Sequence, residues 1–307
     1  MRAAALAAAT LALTAAGLAP ATSAAASPAY PVGGLGTAVN NFLFSPDRVA
    51  GANVSGCEPS AAHPTPVVLV HATFVDLGAN WATLSPKLAN AGYCVYAFNY
   101  GMTALSAGRV GGLGDISRSA RTLSDFVDDV LRRTGASRVD LVGHSQGGMM
   151  PHYYLKRLGG AAKVRRFVAL APSNHGTTLD GLVTLGRDLD ALGFVNDFLS
   201  LVQAPGLAQQ EAGSDFQKAL FADGDTVPGP EYTVIETDRD SVVTPYGNAF
   251  LNGSGVHNVL VQDQCADDPV GHVGMFADGP ALQDVMNALG ADDPDFRPSC
   301  TDYGLPL

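Results

Sequence analysis

Ten residues, Val139-Asp140-Leu141-Val142-Gly143-His144-Ser145-Gln146-Gly147-Gly148, limit the folds open to this chain more than any other stretch. A β-branched run enters the segment, and helix-like sequence over residues 149–158, closed by Gly159-Gly160, leaves it. Glycines stand two places before and two places after Ser145. Small residues there let a chain pass from strand to helix so abruptly that the serine Oγ stands clear of the sheet. With 35 glycines in 307 residues the bare G-x-S-x-G pattern also arises by chance, as a glycine-rich structural turn. The strand before it and the helix after it therefore carry the inference.

The same alternation runs through the chain. Apolar runs at 67–70, 93–98, 139–142, 167–170, 232–236 and 256–262 read as strands. Helical sequence is expected at about 80–91, where Asn80 can cap, at about 115–133 and at about 281–289. In the second of these, Ile116, Ala120, Leu123, Val127, Val130 and Leu131 recur at helical spacing, and Gly135 stops the run. Repeated strand and helix predict an α/β protein, a mostly parallel central sheet with helices on both faces, and ligands in such sheets bind beyond the carboxyl ends of the strands. Residues 27–66, rich in Gly, Pro, Ala and Asn, read as an irregular N-terminal wrap. At about 179–230 the alternation breaks: Leu182, Leu185, Leu189, Leu192, Val195, Leu199 and Val202 form one apolar stripe, an inserted helical cap that either lines a binding site or only covers the core.

A serine at such a turn becomes a nucleophile when a base takes its proton and an acid orients the base, and on this architecture they follow in the order serine, acid, histidine. Of seven histidines, His152, His175, His257 and His272 lie after Ser145. His152 falls in the helix leaving the turn, His175 precedes any late acid, and His257 alternates within a strand, whereas His272 sits in the loop after the last strand. His272 is the expected base, and activity should fall in acid because the base must be neutral. Asp238 and Asp240 both follow the strand at 232–236; Asp240 is preferred because Val242 and Val243 can pack behind it. Two N–H donors must also meet the oxyanion. The expected pair is Gln146, directly after the serine, and Thr73, in the loop after the first strand.

The first 27 residues carry one charge, Arg2, then an Ala/Leu-rich stretch to about Leu18 and small residues up to Ser27, the pattern of a cleaved secretory leader. Residues 28–307 then form one domain, secreted and extracellular, without stable membrane insertion and monomeric. Cys57, Cys94, Cys265 and Cys300 suit export as two disulfides. Three pairings are possible; Cys57 with Cys94 and Cys265 with Cys300 is preferred, because the first two flank early strands and the last two bracket the C-terminal segment. The formal charge of −11 becomes −12 when the leader and its one charge, Arg2, are removed, which disfavours nucleic acid and anionic membranes as partners and leaves neutral esters acceptable. No carboxylate cluster has a metal-loop spacing, so no metal and no cofactor is expected.

These residues resemble the class 2 lipases of actinobacteria, relatives of the bacterial true lipases with the α/β-hydrolase fold. The carrying segments are Pro66 to Phe74 with Asn80-Trp81, Gly92 to Tyr96 with Asn99-Tyr100-Gly101, Val139 to Tyr154, Ala171 to Thr177 and Asp240 to Tyr246. The resemblance implies hydrolysis of triacylglycerol or simpler carboxylic esters, with Ser145, Asp240 and His272 at the matching positions. One departure is Ala72, where the family pattern usually has glycine. The same acyl-enzyme would also serve polyester hydrolysis or acyl transfer to an alcohol, while a non-catalytic binding protein on this fold would usually lack a triad member.

Overall fold

The computed structural model describes residues 29–103, 108–191 and 204–307. Within them β1 (Val67–Val70), β2 (Val95–Phe98), β3 (Val139–His144), β4 (Val164–Leu170), β5 (Glu231–Glu236) and β6 (Val256–Leu260) form a sheet in the order β2-β1-β3-β4-β5-β6. Every neighbouring pair is parallel. The chain steps one way from β1 to β2 and the other way from β3 onward. The reversal leaves a crevice beyond the carboxyl ends of β1 and β3, where open parallel sheets bind their ligands.

Helices on both faces explain why the strands are apolar throughout. Val68 and Val70 enter a core with Ile116, Leu123 and Val127, whereas Val67 and Leu69 enter a second one with Trp81, Leu84 and Leu282. The helix Ile116–Thr134 is closed at each end by its own sequence. The Asp115 carboxylate accepts the Arg118 N–H at 2.9 Å, and Gly135, at φ 69°, donates its N–H to the Leu131 carbonyl at 2.9 Å. A third apolar cluster lies over the crevice and joins Ala38, Phe42, Leu185, Leu189, Val273 and Phe276.

Several boundaries differ from the sequence expectation. The stretch expected as irregular wrap contains a helix, Leu35–Phe44. Its Gly and Asn content argues against helix locally, but Ala38 and Phe42, one turn apart, are buried and Asn41 donates to the Gly78 carbonyl at 2.8 Å. Asn80 does not cap a helix at 80–91; the segment is two helices, Leu77–Asn80 and Leu84–Asn90, and Asp76 caps the first. The helix leaving the turn begins at Gln146, not Met149, and divides into Gln146–Met149 and Pro151–Arg157. The stripe at Leu182, Leu185 and Leu189 lies buried on the helix Leu179–Ala191, while Leu192, Val195, Leu199, Val202 and the leader at 1–27 fall outside the described residues.

Cys57 is bonded to Cys94 and Cys265 to Cys300, with Cα atoms 5.7 and 5.5 Å apart. The first bond ties the N-terminal segment to the start of β2 and the second ties the C-terminal tail to the segment after β6. Closing loops of this length stabilises a fold by roughly 3–4 kcal/mol each in the chain-entropy account.

Asp76 introduces a pH dependence. Its Oδ1 accepts the Ala79 N–H at 2.9 Å, its Oδ2 is buried without a donor among the described residues, and burial raises the carboxyl from 3.8 to about 7. A raised carboxyl contributes stability that is fully present below pH 3.8 and is lost as pH climbs through about 7. Asp76→Asn keeps the capping oxygen and cannot ionise. Its Tm is therefore expected to match wild type near pH 3.5 to within about a degree and to exceed it increasingly toward pH 8, by roughly 4–8 °C per kcal/mol recovered in a small domain and less in a larger one. A Tm difference that is constant across that range contradicts the assignment.

Candidate active site

Ser145 is the residue at which β3 turns into the helix Gln146–Met149, with φ 55° and ψ −122°, a conformation few side-chain-bearing residues adopt. Two glycines permit the turn by close backbone approach. A Cβ on Gly143 would run into the Gly147 carbonyl, and one on Gly147 into the carbonyls of Val70 and His71 at the end of β1.

The crevice brings three distant residues together. Ser145 Oγ lies 2.9 Å from His272 Nε2, and His272 Nδ1 lies 2.7 Å from Asp240 Oδ2. A carboxylate accepts only, so Nδ1 carries the imidazole proton and Nε2 is left to accept the serine hydroxyl. Asp240 Oδ1 in turn accepts the N–H groups of Val242 and Val243, each at 2.7 Å. All three side chains are buried. The loop carrying His272 is held from outside by the C-terminal tail: Gly271 and Val273 donate their N–H groups to the carbonyls of Leu305 at 2.9 Å and Leu307 at 2.7 Å.

The other weighed residues lie elsewhere. Asp238 is exposed beside Arg239, and His257 is exposed on β6. His152 packs among the rings of Phe167, Phe221 and Tyr232, where burial lowers it to about 3, and His175 contacts Asp225 and the Asn248 carbonyl. His71 donates Nδ1–H to the Ala72 carbonyl at 2.8 Å and accepts the Tyr100 N–H at 3.2 Å; burial lowers it to about 4, so it is a neutral brace for the loop after β1.

Thr73 and Gln146 stand side by side at the crevice. The Gln146 amide donates to Thr73 Oγ1 at 3.2 Å and to the Gly112 carbonyl at 2.9 Å, while the backbone N–H groups of Thr73 and Gln146 have no acceptor among the described residues. Three supports escaped the sequence reading. Gln210, from the inserted segment, donates to Thr73 Oγ1 at 3.2 Å and accepts the Ser173 hydroxyl at 3.2 Å. Asn80 Oδ1 accepts the Ala72 N–H at 2.8 Å. His144, lowered to about 3 by burial first and by His272 second, has Nε2 3.1 Å from the His272 carbonyl. None belongs to a local pattern, although Asn80 and His144 fall inside segments already singled out.

Beside His272 and Thr73 lies a small apolar cavity walled by Ala38, Ala72, Leu185, Leu189, Val273 and Phe276. Ala72, the departure from the family pattern, thus forms part of an apolar wall. Among the described residues no group of three or more His, Cys, Asp or Glu is placed to hold a metal ion.

Residues 65–259 match the family described as the alpha/beta hydrolase fold. This chain belongs to that family. The match takes in Ser145 and Asp240, whereas His272 lies beyond it. Among solved structures, Aspergillus fumigatus lipase B is similar with a TM-score of 0.62 and 23% identity, over 77% of this chain and 54% of that one, so this α/β-hydrolase chain spans about half its length. Bacillus licheniformis lipase BlEst2 in mature form gives 0.49 and 17%, over 68% of this chain and 88% of that one. Paleococcus ferrophilus monoacylglycerol lipase gives 0.45 and 20%, over 64% and 85%. At 23% identity the Aspergillus structure speaks to fold alone, and the chemistry has to be argued from the site.

Proposed function

We propose that this chain is a secreted carboxylic ester hydrolase, a lipase or carboxylesterase, that works through an acyl-enzyme on Ser145. The observation that supports it is the unbroken chain from Ser145 Oγ through His272 to Asp240, opening on an apolar space. As His272 Nε2 takes the hydroxyl proton, Oγ attacks the ester carbonyl carbon. The resulting oxyanion is met by the N–H groups of Thr73 and Gln146, and losing one such donor typically raises the barrier by about 3–4 kcal/mol. The C–O bond then breaks and the alcohol leaves with the proton from Nε2. Water, deprotonated by the same nitrogen, releases the acid and restores Ser145. Asp240 holds the tautomer and stabilises the imidazolium without taking the proton. The apolar wall suits the acyl chain of a neutral ester or lipid, and the leader-like residues 1–27 with two disulfides support export.

A fluorophosphonate probe tests the nucleophile without assuming a substrate. Wild type is expected to label at Ser145 and to release p-nitrophenol from acyl esters, with the chain-length profile separating lipase from short-chain esterase. A wild type that neither labels nor turns over any ester contradicts the proposal.

A further inference from the structure

Four residues before Asp240, at the carboxyl end of β5, the Glu236 side chain is completely buried. Its Oε1 accepts the Thr237 N–H at 2.8 Å, and its Oε2 has no donor among the described residues. The carboxyl group is in hydrogen-bonding contact with that of Asp240. Asp240 is also the one charged group among the described residues that acts on Glu236, and on the other side of Asp240 stands His272. Adjoining Thr237 and Gln262 are neutral, with the Thr237 hydroxyl donating to the Val270 carbonyl and the Gln262 amide donating to that hydroxyl.

Two carboxylates are both acceptors and form no hydrogen bond unless a proton lies between them. Asp240 already accepts two backbone N–H groups and the imidazole N–H, so the proton between the two carboxyl groups is better carried by Glu236. The geometry points to Glu236 as a protonated acid that donates its O–H to Asp240 and so positions the carboxylate that orients His272. Burial, followed by the Asp240 charge, holds the Glu236 carboxyl well above its usual range.

Glu236 is thus a positioning residue, and the inference rests on the triad reading above. By donating to Asp240 it spreads the negative charge facing the imidazole; without that donor a more concentrated charge would favour the imidazolium. When Glu236 ionises in alkali, Asp240 loses the donor and gains a like charge.

The test compares Glu236→Gln, which keeps one acceptor and one donor in nearly the same shape, with Glu236→Met, which keeps only bulk. Loss of a hydrogen bond to a charged group predicts a kcat about 10- to 100-fold lower for E236M, with the acid limb of kcat/KM moved to higher pH. E236Q is expected to recover most of that kcat, to restore the acid limb and to remain active further into alkali than wild type. Equal losses in E236Q and E236M, or a wild-type kcat and pH profile in E236M, overturn the inference. An infrared difference spectrum, wild type minus E236Q at neutral pH, supplies a readout that needs no turnover and no E236M protein. The carbonyl band of an un-ionised carboxylic acid is expected, and a carboxylate band in its place overturns the inference. A wild type that shows the acid band yet hydrolyses nothing counts against the ester-hydrolase reading and leaves the shared proton standing.

Discussion

Ser145→Ala is expected to hydrolyse p-nitrophenyl esters about 10^6-fold more slowly than wild type, and His272→Ala to fall by a similar factor. The two effects should not multiply. Oγ is a weak nucleophile without Nε2 to take its proton, and Nε2 has nothing to activate without Oγ, so either deletion removes the same step. The double variant should be no slower than the single ones to within about tenfold, with residual rates sustained by binding and by the donors at Thr73 and Gln146. Single-turnover measurements on both single variants and the double variant decide this. Unimpaired turnover by Ser145→Ala, or a double variant slower by the product of the two factors, would show that the 2.9 Å contact between Ser145 and His272 is not the reacting pair.

Gly143→Ala is expected to destabilise the fold by more than about 4 kcal/mol, although it adds one methyl group. Most glycine-to-alanine changes cost little where the backbone conformation suits both residues. Here the new Cβ meets the Gly147 carbonyl and the Gly148 nitrogen, backbone atoms that cannot swing away, and Gly147 is pressed in turn against the end of β1. Relief requires the turn to open, which moves Ser145 away from His272 and disturbs the centre of the sheet. Gly36→Ala is the control: it sits on the exposed side of the helix Leu35–Phe44, where an added Cβ has no neighbour within 4 Å. Thermal melts of both variants should show Gly143→Ala unfolding far below wild type, or failing to accumulate as soluble protein, and Gly36→Ala melting at or slightly above wild type. A Gly143→Ala protein with wild-type Tm and activity would mean that the turn is looser than its backbone contacts require.

The parts of this protein legible in the amino-acid order are those whose causes are local. Alternating strand and helix periods anticipate a parallel sheet covered on both faces, and the observed sheet has that form. Asp115 and Gly135 mark the ends of the long helix because capping involves neighbours within a few residues. The helix Leu35–Phe44 was not legible for the opposite reason: its stability comes from burying Ala38 and Phe42 against residues far along the chain.

The candidate site divides in the same way. Ser145 is identified by ten consecutive residues, since a sharp strand-to-helix turn has to carry its glycines beside it. Asp240 and His272 could be narrowed by their order after Ser145 and their place after strands, but His272 meets Ser145 across 127 residues and Asp240 across 32. The choice of Asp240 over Asp238 becomes physical only when β5 directs one carboxylate toward the imidazole and leaves the other exposed. Glu236, Asn80 and Gln210 follow no local pattern at all, because each is defined by the atom it faces and not by its neighbours in the chain. Local order was enough for the six strands, the long helix and the serine on its turn. Which distant carboxyl, imidazole and amide groups meet there depends on where the ends of parallel strands converge, and that is a property of the folded chain.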